Sequence, residues 1–170
     1  VMISTSGRRL MTEETIQVIK TELFPLCTLI TPNLNEASLL WGRTIAGTVE
    51  MQQAAQELSC RYNTAVLVKG GHLPQGVMND ILFTAHNPPR IFSSEKVETR
   101  NTHGTGCTLS SAIASYLALG EDMENAVERA KKFVYNGLKS GADVTIGNGH
   151  GPMNHFFDPL PLHTINKAIT

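Results

Sequence analysis

The sequence has few cysteines, and those it has are not paired. Cys27, Cys60 and Cys107 are far apart, and no Cys-x-x-Cys pair occurs. A disulfide framework or a zinc site would need cysteines at short, repeated spacings. The pattern therefore excludes the disulfide-stapled and zinc-binding classes of small protein, and we expect all the cysteines to be reduced thiols.

The sequence also lacks an excess of charge of either sign and any long apolar run. Its 14 lysines and arginines nearly balance its 15 aspartates and glutamates, so it has no electrostatic footprint for nucleic acid or for an anionic membrane. No apolar run approaches the roughly 20 residues that cross a bilayer, and the first residues do not have the order of a signal peptide. We therefore expect a cytoplasmic protein whose partners are small molecules.

Short β-rich segments alternate with longer helical ones along the chain. Its 170 residues, of which 41% are hydrophobic, are enough for one domain with a core and too few for two. The spacing of apolar residues predicts helices over residues 12–24, 48–62, 107–119 and 122–140, and a short helix within residues 32–41. Thr12 and Asp122 are predicted to cap the helices that they begin, and Pro25 is predicted to end the first. Buried strands are predicted over residues 27–31 and 65–69, and more polar strands, joined around Pro88 and Pro89, over residues 79–84 and 91–99. Residues 141–170, rich in glycine, proline and histidine, are predicted to be mostly loop.

This alternation predicts right-handed βαβ crossovers and a mostly parallel sheet with helices on both faces. The two more polar strands predict an antiparallel hairpin at one edge. Ligands of such folds bind in the loops at the carboxyl ends of the strands. That rule selects three loops of this chain, "TPNLNE", "KGGH" and "NTHGTGC".

The loop "NTHGTGC" has the composition of an anion-binding turn. Its glycines let backbone amides approach a ligand, and the start of the following helix leaves N–H groups without internal partners. The loop is neither a lysine-bearing phosphate loop nor the six-residue glycine fingerprint of dinucleotide folds. The alternative interpretation is an ordinary strand-to-helix turn in which Thr102 or Thr105 caps the helix.

Cys107 is predicted to lie in the first turn of that helix, where the helix dipole favours a thiolate. Two other interpretations remain open from the residues alone. Free cysteines are more often buried as small hydrophobic side chains. A nucleophile pair with His103, four residues earlier on the same loop, is also conceivable.

Four segments, taken in their order and spacing, identify a family: "TPNLNEA", "VLVKGGH", "VETRNTHGTGCTLSSAIAS" and "GHGPMNHF". Together they resemble the hydroxymethylpyrimidine/phosphomethylpyrimidine kinases of thiamin biosynthesis, members of the ribokinase-like superfamily. The resemblance runs from residue 1 to about residue 158. It implies a three-layer α/β/α, Rossmann-like fold for a single kinase domain over residues 1–170, with a mostly parallel sheet and the antiparallel edge hairpin.

The resemblance assigns roles to the glycine loop. It implies that Gly104, Thr105 and Gly106 form, with Cys107, an anion hole for the γ-phosphoryl group of ATP. In the sugar kinases of the superfamily the loop usually ends in Gly-Asp, where the aspartate takes the proton of the substrate hydroxyl. Cys107 occupies that place here, so the resemblance implies that it is the general base.

The resemblance also implies sites for ATP and magnesium. Asn33 and Glu36 match the superfamily's Asn-x-x-Glu motif, which is linked to Mg²⁺ and its waters, although the same residues could form a helix capping box. Further residues are implied to lie along the ATP cleft: Lys69, Gly71, His72, Thr102 and Lys132. For Lys69 the alternative is an ordinary solvent-exposed strand end.

Members of this family are considerably longer than this chain. Their first strands, and the loop that covers the pyrimidine, precede the segment that here begins "VMISTSG". We therefore expect the C-terminal two thirds of a kinase, holding the ATP side and the base, with the N-terminal strands missing. Met2 and residues 4–7 are expected to lie at the substrate edge, and a homodimer is expected by analogy with the superfamily.

The resulting prediction is an ATP- and magnesium-dependent kinase. Its substrates would be 4-amino-5-hydroxymethyl-2-methylpyrimidine and its monophosphate. Three alternatives stay open: a pyridoxal kinase of the same lineage, a truncated nucleotide-binding module without catalysis, and a cysteine hydrolase that uses Cys107 and His103.

Overall fold

The computed structural model describes residues 1–3, 8–71, 77–85 and 87–161. The chain divides into two compact units, Val1–Lys96 and Val97–Thr170. That the chain is a single kinase domain stays a prediction. Within the described residues, no helix is long and apolar enough to cross a membrane.

The first unit begins with a helical segment of changing pitch. It starts as helix α1 (Glu13–Val18), continues as a π-helical turn over Ile19–Leu23, and ends as a 3₁₀ turn over Phe24–Leu26. The Thr12 hydroxyl oxygen accepts a hydrogen bond from the Thr15 amide, so Thr12 is the N-cap, as predicted. Pro25 does not end the helical segment but lies in the first turn of the 3₁₀ part, where its missing N–H costs no hydrogen bond.

The remaining elements of the first unit alternate between strands and helices. They are strand β1 (Leu29–Ile30), helix α2 (Leu34–Trp41), helix α3 (Thr48–Tyr62), and strands β2 (Ala65–Lys69), β3 (Val77–Thr84) and β4 (Asn87–Glu95). The predicted bounds of α3 and β2 are confirmed. The strand predicted over residues 27–31 is shorter, since only Leu29 and Ile30 pair with β2.

The four strands form one mixed sheet in the order β1-β2-β3-β4. β1 and β2 are parallel, whereas β3 pairs antiparallel with both β2 and β4. The predicted hairpin at one edge is thereby confirmed, and the parallel share of the sheet is smaller than predicted because β3 turns back along β2. Pro88 and Pro89 lie inside β4 and not in the connection, which an edge strand tolerates.

One face of this sheet packs against α2 and α3. The predicted apolar stripe of α3 is fully buried, and it shares a core with alternate residues of β2 and β3: Met51, Ala54, Ala55, Leu58, Val66, Val68 and Ile81. Since successive strand residues point to opposite faces, Lys69 belongs to the other face. The core therefore fixes the position of the carboxyl end of β2.

The second unit consists of two packed helices and a long loop. The helices are α4 (Thr105–Ala118) and α5 (Met123–Ser140), and Asp122 caps α5 by accepting a hydrogen bond from the Asn125 amide at 2.8 Å. Both helices and this cap were predicted, with α4 starting two residues earlier than expected. Residues 142–161 contain no helix or strand, as predicted, apart from an isolated bridge between His103 and Pro152.

Candidate functional site

In the first unit, Asn33 and Glu36 form a reciprocal capping box at the start of α2. The Asn33 side-chain oxygen accepts a hydrogen bond from the Glu36 amide at 2.9 Å, and Glu36 Oε2 accepts one from the Asn33 amide at 3.0 Å. Each side chain thus satisfies an amide that the helix itself leaves without a partner. The helix capping box, which was the alternative interpretation of this motif, is therefore present in the structure.

Glu36 makes further bonds that a capping box does not require. Its Oε1 atom accepts hydrogen bonds from the Met2 amide at 2.7 Å and the Ile3 amide at 3.3 Å, and Glu36 is only 5% exposed. Asn33 Nδ2 also donates to the Ile3 carbonyl at 3.3 Å. The pair therefore fixes the backbone of Met2 and Ile3 against the start of α2.

These bonds limit how Glu36 can serve a magnesium ion. A carboxylate offers about four lone-pair sites, and three of those on Glu36 already accept backbone N–H groups. A bidentate bond from Glu36 to the metal does not fit this arrangement, because only one lone-pair site, on Oε2, has no backbone donor among the described residues. Because Mg²⁺ keeps several waters in proteins, the remaining site on Oε2 fits a hydrogen bond from a metal-bound water.

Lys69 lies beside this motif, at the carboxyl end of β2. Its amide donates to the Pro32 carbonyl at 2.9 Å, and a parallel bridge joins it to Asn33. The backbone of Lys69 is thus held next to the capping box, and its residue is half-buried. Pro32 and Asn33, which follow β1, thus lie next to the end of β2, while His72 of the loop "KGGH" lies outside the described residues.

Gly70 and Gly71 follow Lys69 where the chain passes close to its neighbours. A Cβ atom on Gly70 would lie 2.1 Å from the Asn79 carbonyl oxygen and 2.8 Å from Met51 Cε. A Cβ on Gly71 would lie 2.8 Å from Met78 Cε. The contact of Gly70 with backbone is the one that no side-chain motion relieves, so only glycine fits there.

Gly70→Ala is expected to lower the free energy of unfolding by about 2 kcal/mol, because the added methyl group forces β2 away from β3. Thermal and urea unfolding measure this loss. Gly149→Ala is the control, since nothing lies within 4 Å of a Cβ at that position. Equal stability of the two variants would show that the backbone around Gly70 moves apart at no cost.

Asp80 is a residue at this edge that the sequence analysis missed. It lies on β3 directly opposite Lys69, is 7% exposed, and its Oδ1 atom accepts a hydrogen bond from the Gly70 amide at 3.0 Å. Its sequence context, a polar residue in a half-polar strand, gave no signal of a buried carboxylate. Only the register of β2 and β3 reveals that it lies beside Lys69.

In the second unit, the glycine loop leads into α4 without a side-chain cap. Gly104 is the N-cap, in the left-handed region with φ of +81°. Neither Thr102 nor Thr105 caps the helix; instead the Thr105 hydroxyl donates to the Thr102 carbonyl at 2.7 Å. The described residues supply no acceptor for the amides of Gly106 and Cys107, which leaves these N–H groups available to an anion.

Cys107 is the third residue of α4, and its side chain is exposed. The expectation that free cysteines are buried therefore does not apply to it. Within the described residues no hydrogen bond joins Cys107 to His103, whose amide donates to the Gly151 carbonyl at 3.1 Å. The exposed thiol thus lies beside the Gly106 and Cys107 amides, at the predicted anion site.

Asn101 is a second residue that the sequence analysis did not single out. It is 3% exposed, and its Nδ2 atom donates to the carbonyls of Gly141 at 2.8 Å and Val144 at 2.7 Å. These bonds tie the start of the glycine loop to the segment after α5. Its place directly before the loop was visible, but its long-range partners were not.

The loop after α5 also reaches the first turn of α4. The Thr108 hydroxyl donates to the Gly104 carbonyl at 2.9 Å and lies 3.0 Å from His155 Nε2. Which of the two atoms donates in the second bond depends on the imidazole tautomer of His155. Lys132 is exposed on α5, so its side chain is accessible to a ligand.

Comparison with known proteins places these features in context. A family model described as phosphomethylpyrimidine kinase matches residues 1–154. The hydroxymethylpyrimidine/phosphomethylpyrimidine kinase of Rhizobium meliloti is 42% identical over 157 residues, which is 92% of this chain and 59% of that protein. The thiamine biosynthesis bifunctional protein of Geobacter sulfurreducens is 42% identical over 91% of this chain and 31% of its own length.

Solved structures show the same similarity in three dimensions. The phosphomethylpyrimidine kinase of Clostridium difficile has a TM-score of 0.68 and 37% identity, over 79% of this chain and 53% of that one. A pyridoxal kinase of Staphylococcus aureus in complex with AMP-PCP has a TM-score of 0.82 and 29% identity, over 91% of this chain and 55% of that one. The fold is accordingly the ribokinase-like α/β fold, and the chain spans less than two thirds of each of these relatives.

Proposed function

Since the chain belongs to the phosphomethylpyrimidine kinase family, we propose that it contributes the ATP side and the general base of a hydroxymethylpyrimidine kinase. The proposed substrates are 4-amino-5-hydroxymethyl-2-methylpyrimidine and then its monophosphate, on the route to thiamin diphosphate. The observation that carries the proposal is the first turn of α4, where the exposed Cys107 thiol adjoins amides that have no acceptor in the described residues.

In the proposed reaction the substrate's hydroxymethyl oxygen bonds to the γ-phosphorus of ATP. The bond from that phosphorus to the β,γ-bridging oxygen breaks, and ADP leaves. Little covalent work falls to the protein in such a transfer, so positioning and charge stabilisation supply the catalysis. The residues Gly104, Thr105 and Gly106 shape the anion hole, in which the amides of Gly106 and Cys107 donate to the transferring phosphoryl oxygens.

Cys107 is the proposed general base. In its thiolate form the sulfur of Cys107 takes the hydroxyl proton and becomes a thiol, and the substrate oxygen gains the negative charge that it needs to attack phosphorus. The exposed position of this thiol at the anion hole supports the role, because base and phosphoryl group must both reach the same substrate oxygen. A cysteine hydrolase is less well supported, since no hydrogen bond in the described residues links the thiol to His103.

The ATP phosphates are proposed to contact Lys69 at the carboxyl end of β2. Lys69 would act as a point charge on the phosphates, while the other proposed ATP contacts are Gly71, His72, Thr102 and Lys132. Magnesium, when bound, neutralises phosphate charge. Asn33 and Glu36 would hold it through its coordinated waters.

A pyridoxal kinase is the second candidate. Several of the solved structures that resemble this chain are pyridoxal kinases, including the one with a TM-score of 0.82. Pyridoxal, like the pyrimidine, is a small aromatic ring with a hydroxymethyl group. Sequence favours the pyrimidine kinase, because the two relatives cited at 42% identity are named a hydroxymethylpyrimidine/phosphomethylpyrimidine kinase and a thiamine biosynthesis bifunctional protein.

An ADP-release assay with three substrates separates these functions. The assay supplies ATP, Mg²⁺ and one of three substrates: hydroxymethylpyrimidine, its phosphate or pyridoxal. It is run on this chain and on a longer chain, extended at the N-terminus by the segment that corresponds to the first part of its relatives. We expect turnover of the first two substrates, at least by the longer chain. The cytoplasm, where ATP is available, is the proposed compartment. Turnover of pyridoxal alone would favour the second candidate, and ATP binding without any turnover would favour a nucleotide-binding module.

A further inference from the structure

We infer that Asp80 is a positioning residue for the ATP site, which orients Lys69 and fixes the turn that follows it. This inference rests on the proposed function, because it concerns the ammonium group that would meet the ATP phosphates. It adds a carboxylate, Asp80, which lies beside Lys69 and which the family resemblance did not assign to the site.

The register of the sheet brings Lys69 and Asp80 together. Lys69 on β2 and Asp80 on β3 are directly opposed in an antiparallel pair, and side chains at opposed positions lie on the same face a few ångströms apart. The neighbouring pair, Val68 and Ile81, belongs to the buried core. The lysine and the aspartate therefore share the face of the sheet opposite to that core.

The Asp80 side chain is also buried. Asp80 is 7% exposed, and a carboxylate so far from water is costly unless it is hydrogen-bonded and paired with a positive charge. The Gly70 amide supplies a hydrogen bond at 3.0 Å. Lys69 is the cationic residue directly opposite, so the ammonium group has a fixed negative charge toward which it can be oriented.

Close packing at Gly70 also restricts the backbone that follows Lys69. The Asp80 carboxylate holds the Gly70 amide, and the Asn79 carbonyl oxygen lies where a Cβ of Gly70 would be. One hydrogen bond and one close backbone contact therefore fix the position of the backbone directly after Lys69. The Lys69 side chain is a flexible four-carbon chain, and ordering it on ATP binding costs conformational entropy. That cost is smaller when the backbone is fixed and a carboxylate already restricts the ammonium group.

Asp80→Asn tests the orienting role with little change of shape. Asparagine keeps an oxygen that accepts the Gly70 hydrogen bond but removes the charge opposite Lys69. We expect the dissociation constant for AMP-PCP with Mg²⁺, measured by calorimetry on this chain, to rise about tenfold while the melting temperature stays near that of the unmodified chain. If Asp80→Asn does not fold, Asp80→Ser, which also keeps an acceptor without charge, replaces it.

A double-mutant cycle distinguishes positioning from simple structural damage. Lys69→Met should weaken AMP-PCP binding, and adding Asp80→Asn to it should cost little more, because the charge that Asp80 orients is then absent. Asp122→Asn is the control, since its carboxylate also accepts a backbone amide, at 2.8 Å, but caps α5. We expect Asp122→Asn to bind AMP-PCP as the unmodified chain does.

Each outcome bears on a different claim. Unchanged AMP-PCP binding by a folded Asp80→Asn variant, or full additivity with Lys69→Met, would overturn the positioning role and leave the proposed kinase function standing. An unmodified chain that binds no AMP-PCP would instead overturn the proposed ATP site, and this inference with it.

Discussion

Cys107→Ala is expected to slow phosphoryl transfer by about two or more orders of magnitude and to leave ATP affinity nearly unchanged. Alanine removes the proposed proton acceptor, but it retains the amide N–H of residue 107 and therefore the anion hole. The thiol is exposed on the third residue of α4, so its loss leaves no cavity in a core. Single-turnover kinetics in the longer chain measure the chemical step, and calorimetry measures ATP affinity.

Cys60→Ala is the matched control for this experiment. Cys60 is also an exposed free cysteine on a helix, but it lies in α3 and has no proposed role. We expect it to retain full activity, which would exclude a general effect of thiol removal. Full activity of Cys107→Ala would show that another group takes the proton.

Glu36→Gln is expected to have two separable effects. It should lower the free energy of unfolding by about 3 kcal/mol, because the carboxylate accepts three backbone N–H groups while nearly buried and the glutamine amide cannot accept on its nitrogen. It should also raise the magnesium concentration needed for half-maximal ADP release, since a charged acceptor for the metal's waters is lost. Denaturant unfolding and a magnesium titration measure the two effects.

The matched control for Glu36→Gln is Glu50→Gln. Glu50 occupies the same helical position in α3 that Glu36 occupies in α2, the third residue, but α3 starts at Gly47 without a side-chain capping bond. We expect Glu50→Gln to change neither stability nor magnesium dependence appreciably. A magnesium titration that is the same for Glu36→Gln and the unmodified chain would reduce Glu36 to a purely structural residue.

Local chemistry was enough to predict most helices and strands. The apolar stripe of α3, the strand β2, and the caps Thr12 and Asp122 all depend on neighbours within a few residues, and each is confirmed. The antiparallel edge hairpin was also readable, because partial polarity marks strands that have one exposed side. Local signals of this kind do not depend on knowing the rest of the fold.

Long-range pairing was not readable from the sequence. The bonds from Glu36 to Met2 and Ile3, and from Asn101 to Gly141 and Val144, join residues more than 30 positions apart. No spacing of residue types in the sequence predicts such partners. The position of Asp80 was not predictable for the same reason. Asp80 lies beside Lys69 because of the register of β2 and β3, and not because the two are close along the chain.

The candidate site was predicted in part for the same reason. The first turn of α4 is local, so a glycine loop followed by a helix was sufficient to expect free amides beside Cys107. The alternative interpretation, in which Thr102 or Thr105 caps the helix, is wrong, because Gly104 in the left-handed region takes the N-cap position. A left-handed glycine before a helix leaves the first amides open, which favours the anion interpretation over the ordinary turn.

The central claim is that the family's pyrimidine substrate receives the γ-phosphoryl group of ATP at this site. The most direct measurement supplies the longer chain with γ-labelled ATP and a mixture of hydroxymethylpyrimidine and pyridoxal, and the labelled products are separated and identified by mass. The account predicts labelled monophosphate, followed by diphosphate, and loss of both in Cys107→Ala. Label found only in pyridoxal phosphate or in inorganic phosphate would contradict it.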